Sequence, residues 1–179
     1  MIRKIAFTCS LLLLLTGCSS QSSAIPALGE VVSCDSIMRS ASTEGVELPC
    51  LDGKSSIYFS ALQGPLIVNV WGSWCASCKD ELPILRSFYA KAQSRIQLMG
   101  VDVEEAKSDD GRRFIVKNGM TWPSLNDPDG RTRGDFGMGV PLTWFIDESG
   151  AVVHKKIGVL TNEAELHDLT LQYLHVAIG

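Results

Sequence analysis

Two cysteines spaced for mutual attack carry the clearest chemistry in this chain. Cys75 and Cys78 lie in Trp74-Cys75-Ala76-Ser77-Cys78, directly after the apolar run Leu66-Ile67-Val68-Asn69-Val70-Trp71. On a helix this spacing puts the two thiols one turn apart, within reach of each other. One thiolate attacks a disulfide, and the other resolves the mixed disulfide that results. If a strand delivers Cys75 to the start of a helix, the unpaired N–H groups and the dipole there favour an anion. The thiol pKa then falls below its free value. Ala76 and Ser77 are uncharged, so the field at Cys75 comes from the helix end, and Trp74 shields one side with apolar surface.

The surrounding pattern supplies that strand and that helix. Residues 66–71 lack alternation, as a strand buried on both faces does. Leu82, Leu85, Phe88, Tyr89 and Ala92 recur at three- and four-residue steps, which predicts a helix over 76–94 kinked at Pro83. Residues 96–103 form a second buried strand, and 109–118 a helix stopped by Gly119. Trp122-Pro123 opens an extended segment, 126–130 is a turn and 132–136 a short helix. Val140-Pro141 leads into a strand over 142–146, which Glu148-Ser149-Gly150 turns back into 151–157. Asn162, with Glu165 three residues on, opens a last helix in the manner of a capping box. Upstream, Asp52-Gly53 between 45–51 and 56–59 marks a hairpin. The predicted class is α/β: a mixed central sheet with helices on both faces and an N-terminal β-hairpin extension.

The N-terminus sets the compartment. A basic head, Arg3-Lys4, precedes an apolar run of about 11 residues that includes five consecutive leucines. A bilayer-spanning helix needs about 20 residues, so the run fits a secretory signal instead. Leu15-Thr16-Gly17-Cys18 resembles the bacterial lipobox, in which the cysteine becomes the acylated first residue. The expected organisation is a lipoprotein signal peptide over 1–17, a flexible tether over 18–33 and one domain over 34–179. Cys9 leaves with the signal. Cys34, Cys50, Cys75 and Cys78 then allow three pairings. Cys75–Cys78 is the local pair, which leaves Cys34–Cys50 as a structural bridge in a compartment where disulfides persist. A zinc site would need two close-set cysteine pairs, and Cys34 and Cys50 are too far apart in sequence for one. The net charge of −4, with no long basic run, argues against a nucleic-acid partner.

The stretch Val68-Asn69-Val70-Trp71-Gly72-Ser73-Trp74-Cys75-Ala76-Ser77-Cys78-Lys79-Asp80-Glu81-Leu82-Pro83 resembles the active-site segment of TlpA/ResA-type thioredoxin-like proteins. These are exported, often membrane-tethered thiol–disulfide oxidoreductases, and the resemblance extends over about residues 45–179. It implies a thioredoxin-like fold, Cys75 as nucleophile and Cys78 as resolving thiol. It also implies a cis-proline at Pro141 whose segment, with Val140 and Trp74, docks substrate, and a thiol-tuning role for Glu81. Without the resemblance, Glu81 reads equally as a solvated helix residue. Thioredoxins proper carry a buried Asp where this chain has Asn69. Asn69 cannot ionise, so Glu81 or water must move the proton.

The function implied is disulfide exchange with exported proteins, either the upkeep of haem-binding thiols in cytochrome c maturation or more general exchange, with a membrane electron carrier as redox partner; Ala76-Ser77 alone does not set the direction of electron flow. The protein is expected to be extracytoplasmic, lipid-anchored and monomeric, and to use neither cofactor nor metal. Two other readings compete. A peroxiredoxin-like peroxidase lacks its Pro-x-x-x-Thr/Ser-x-x-Cys setting here. A Cu(I)-binding lipoprotein has suitable thiolates but no Met or His cluster. His154 is expected to be exposed on its hairpin, Glu104-Glu105 and Asp109-Asp110 to form a solvated acidic edge, and Trp122 to be core.

Overall fold

The structure is a computed structural model that describes residues 28–92, 95–107, 109–137 and 139–178. The expected signal peptide, Cys18 and the tether up to residue 27 lie outside the described residues. The sheet is built on β3 (Leu66–Trp71), whose six residues are all buried. Parallel to it runs β4 (Gln97–Val103), and β5 (Ser124–Asp127) continues the parallel set at the edge. On the other side β6 (Leu142–Ile146) lies antiparallel to β3, and β7 (Val152–Ile157) antiparallel to β6. The order is β5-β4-β3-β6-β7. This is the predicted mixed sheet, with β3 at its centre because its apolar residues need cover on both faces.

The helices divide unequally between those faces. α1 (Ala76–Ala92) joins β3 to β4, and α2 (Asp110–Asn118) joins β4 to β5. Both crossovers step the same way across the sheet, and parallel crossovers share one hand, so both helices fall on one face. There α4 (Glu163–Leu174) joins them. Leu82, Leu85 and Phe88 of α1 share a core with Phe114 and Ile115 of α2 and Leu166 and Leu174 of α4. The opposite face is covered by the hairpin β1 (Glu47–Pro49)/β2 (Ser56–Tyr58), Phe59 and the short α3 (Arg133–Phe136). Phe136 packs edge-on against Phe59 and Trp144, with ring centroids 5.0 and 4.8 Å apart.

Local signals act as predicted in several places. Gly119 ends α2 in the left-handed region at φ 70°. The Asn162 side chain caps α4 by accepting from the Glu165 N–H at 2.9 Å, although Glu165 reaches back to Thr161 rather than to the cap residue itself. Pro83 lies inside α1 without ending it. Two expectations need correction, and one feature was not expected. Asn126 and Asp127 belong to β5, not to a turn. The tether stops short of Ser33, because the Gly29 and Glu30 N–H groups donate to the carbonyls of Val116 and Met120 at 2.9 Å. A Cβ on Gly29 would stand 2.2 Å from the Ile115 carbonyl oxygen, so the chain is pressed against the end of α2. The Gly64–Pro65 bond is cis, which no sequence signal announced.

Cys34 and Cys50 are joined, with Cα atoms 6.0 Å apart. Cys50 bridges to Leu125 on β5, so this bond ties the N-terminal arm to the sheet edge. The closed loop limits the unfolded chain, an effect worth about 3 kcal/mol. The double variant Cys34→Ser/Cys50→Ser should therefore lose about 2–4 kcal/mol in a denaturant melt. Its exchange activity at 25 °C should be unchanged, because the bridge lies at the β5 edge of the sheet and not at the central strand that leads to Cys75.

Candidate active site

Cys75 is the residue just before α1, the position where a side chain caps a helix. Its Sγ accepts the backbone N–H of Cys78 at 3.0 Å, so sulfur takes the place of a capping oxygen. Its own N–H donates to the Gly72 carbonyl at 3.0 Å, which closes the turn leaving β3. Cys75 and Cys78 are disulfide-bonded with Cα atoms 5.3 Å apart. Cys75 is 6% exposed and Cys78 1%, so only the first can meet a substrate without rearrangement.

The flanking residues are placed for different reasons. The Trp74 ring folds back until its Nε1–H donates to the Val103 carbonyl at 3.2 Å, leaving the residue 55% exposed. A Cβ on Gly72 would stand 2.6 Å from Trp74 Nε1, so only glycine leaves room for that ring. The Val140–Pro141 bond is cis, as the resemblance implied, and Val140 packs against the cluster that holds Cys75 and Cys78. Trp74, Val70, Val103, Val140 and Phe136 line a cleft of about 370 Å³, counting its open mouth. Glu104 and Arg133 form an ion pair at its rim.

Glu81 is fully buried one turn beyond Cys78. The solvated alternative for it is therefore wrong. One carboxyl oxygen accepts from the Asn69 amide at 2.7 Å and the other from the Leu160 N–H at 3.0 Å. Asn69 also donates to the Thr143 hydroxyl at 3.4 Å, across the β3–β6 pair. Burial raises the Glu81 pKa above the usual carboxylate value. The Leu160 and Asn69 hydrogen bonds and the charge of Lys156 oppose that rise without cancelling it.

Sequence reasoning missed Glu105. Its two oxygens accept the Ser73 N–H at 2.5 Å and the Ser73 hydroxyl at 2.6 Å, so it anchors the turn before Trp74. The solvated acidic edge is thus corrected in part: Glu105 is half-buried and structural, whereas Glu104, Asp109 and Asp110 pair with Arg133, Arg112 and Arg113. Trp122 is core as predicted. His154 is half-buried and stacks on Tyr173 at 4.0 Å.

A parallel strand ending in Cys-x-x-Cys at a helix start, with a cis-proline strand beside it, defines a thioredoxin-like dithiol protein. Residues 42–155 match the model of the AhpC/TSA family, and the chain belongs to that family. It is 32% identical to the thiol:disulfide interchange protein CycY of Rhizobium leguminosarum bv. viciae, over 58% of this chain and 55% of that one. It is 30% identical to the thiol-disulfide oxidoreductase ResA of Bacillus thuringiensis (strain Al Hakam), over 63% and 66% respectively. The chain thus spans less than two thirds of the length of these curated relatives. The crystal structure of StoA from Bacillus subtilis superposes with a TM-score of 0.59 at 27% identity, over 73% of this chain and 99% of that one.

The raised pKa of Glu81 has a consequence for stability. A folded state that keeps a proton the unfolded chain releases loses stability as pH rises from the ordinary carboxylate value toward the folded one. Thermal melts of the Glu81→Gln variant should show a flatter pH dependence above pH 5 than the parent. A parallel slope in both proteins would mean that Glu81 is ionised in the fold.

Proposed function

We propose that this chain is an extracytoplasmic thiol–disulfide oxidoreductase that exchanges disulfides with exported proteins. The observation that carries the reading is the Cys75 sulfur at the start of α1, bonded to Cys78 and accepting its N–H. The names of the relatives CycY and ResA support it. In the reducing direction, the Cys75 thiolate attacks one sulfur of a substrate disulfide. That S–S bond breaks, and the leaving thiolate takes a proton. The Cys78 thiol, deprotonated toward the Glu81 carboxylate or water, attacks Cys75 Sγ, forms the intramolecular disulfide and releases the second substrate thiol. Two electrons pass to the substrate, and the dithiol of a membrane carrier restores them.

The finer setting within this reading is cytochrome c maturation, where the substrate is a haem-binding cysteine pair. Trp74, Val140 and Pro141 form the docking surface, and the cleft beside Trp74 takes an apolar side chain next to the substrate cysteine. Acylation of Cys18 and the segment that follows would hold the domain at the membrane. No helix among the described residues is long and apolar enough to cross a membrane.

Docking and chemistry can be separated. The Cys78→Ala variant should trap exported substrates as mixed disulfides on Cys75, and adding Cys75→Ala should abolish the adducts. Trp74→Ala should raise KM for a protein disulfide about 10-fold while leaving the rate with a small aromatic disulfide within about 2-fold, since loss of one apolar contact is worth about 1–3 kcal/mol. Equal losses on both substrates would remove the docking role. Absence of exchange with any protein disulfide would remove the function.

A further inference from the structure

Asp102 takes no part in the exchange described above, yet it is 1% exposed at the C-terminal end of β4. Neither of its carboxyl oxygens meets a hydrogen-bond donor among the described residues. Its strand neighbours are Trp71 on β3 and Asn126 on β5. The first turn of α2 closes over it so tightly that a Cβ on Gly111 would stand 1.8 Å from Asp102 Oδ2. The charged groups facing it are Glu105, on the loop after β4, and Asp110, on the first turn of α2. Both are acids. A carboxylate there would lack water and a counter-ion together, so the neutral form is favoured. A neutral carboxyl has one O–H to donate, and Glu105 is the neighbouring carboxyl group that can accept it. Glu105 in turn holds the N–H and hydroxyl of Ser73, two residues before Cys75.

We propose that Asp102 is a positioning residue for the dithiol: as a neutral acid it donates a hydrogen bond to Glu105, and Glu105 fixes the Ser73 turn that presents Trp74 and Cys75. The same relay explains why a half-buried glutamate stays turned inward on Ser73 instead of out toward water. It also makes the turn responsive to alkali. Burial, the hydrogen bond to Glu105 and the charges of Glu105 and Asp110 push the Asp102 pKa up to about 9. Once Asp102 ionises, two carboxylates face each other, Glu105 turns toward solvent and Ser73 loses its acceptor.

The proposal takes Cys75–Cys78 as the working disulfide, but its first test needs no activity assay, so the two readings fail separately. Carboxyl ¹³C and amide ¹⁵N NMR of the oxidised full chain would be followed from pH 5 to 11, where no thiol of the Cys75–Cys78 pair titrates. The Asp102 carboxyl and the Ser73 amide should move together, with one midpoint near 9. Asp102→Asn keeps an N–H donor and removes the titrating proton, so its Ser73 amide should sit at the parent's neutral-pH position and stay there. The reduction potential plotted against pH should show a break at that midpoint in the parent and none in Asp102→Asn. An Asp102 carboxyl already ionised at pH 7, a Ser73 amide that ignores the Asp102 transition, or the same Ser73 step in Asp102→Asn would each overturn the proposal.

Discussion

An α-helix begins with amide N–H groups that have no partner inside the helix, and in α1 one of them is given to a sulfur. The N–H of Cys78 points at Cys75 Sγ, so the atom that must carry negative charge during exchange sits where backbone donors and the helix dipole converge. The surrounding structure keeps that sulfur there. β3 is buried along its whole length and fixes the point at which the chain leaves the sheet. Leu82, Leu85 and Phe88 lock α1 onto the sheet, and Val140, at the cis bond that leads into β6, packs against the same core cluster.

Two buried acids flank this arrangement, and each is compatible with its site only because of its neighbours. Glu81 reaches β3 at Asn69, a residue that offers an N–H at 2.7 Å. An aspartate at that position would put two carboxylates in contact under the dithiol, and at least one would be forced to keep a proton. Asn69 therefore belongs with Glu81 as a donor matched to an acid. Asp102 has no such donor and faces Glu105 and Asp110 instead. The active-site turn thus rests on two carboxyl groups with different partners: Asp102, buried without a donor, and Glu105, which grips Ser73.

Much of this was legible in the sequence wherever burial and periodicity act together. The uninterrupted apolar run at 66–71 and the three- and four-residue steps of α1 gave the strand, the helix and the Cys75–Cys78 juxtaposition. Elimination among four cysteines gave Cys34–Cys50. Side-chain orientation within polar stretches was less legible. Glu81 looks like any helix acid until its place between Cys78 and Leu85 on the buried face is traced, and that spacing was the available signal. Asp102 stood as the lone charge in a run otherwise read as a buried strand, a second signal. Glu105 had none: its partners are a backbone N–H and a serine across 32 residues of chain, which no local pattern encodes. The one-sided stacking of α1, α2 and α4 follows from strand order, which the sequence does not print.

The thiolate pKa of Cys75 in the reduced protein tests the central point most directly, read from thiolate absorbance at 240 nm with Cys78→Ala as the assignment control. Stabilisation at the start of α1 places the Cys75 midpoint well below the ~8.5 of a free thiol, with Cys78 titrating above it. A Cys75 midpoint at or above the free value would contradict the assignment of the helix end as the source of its reactivity.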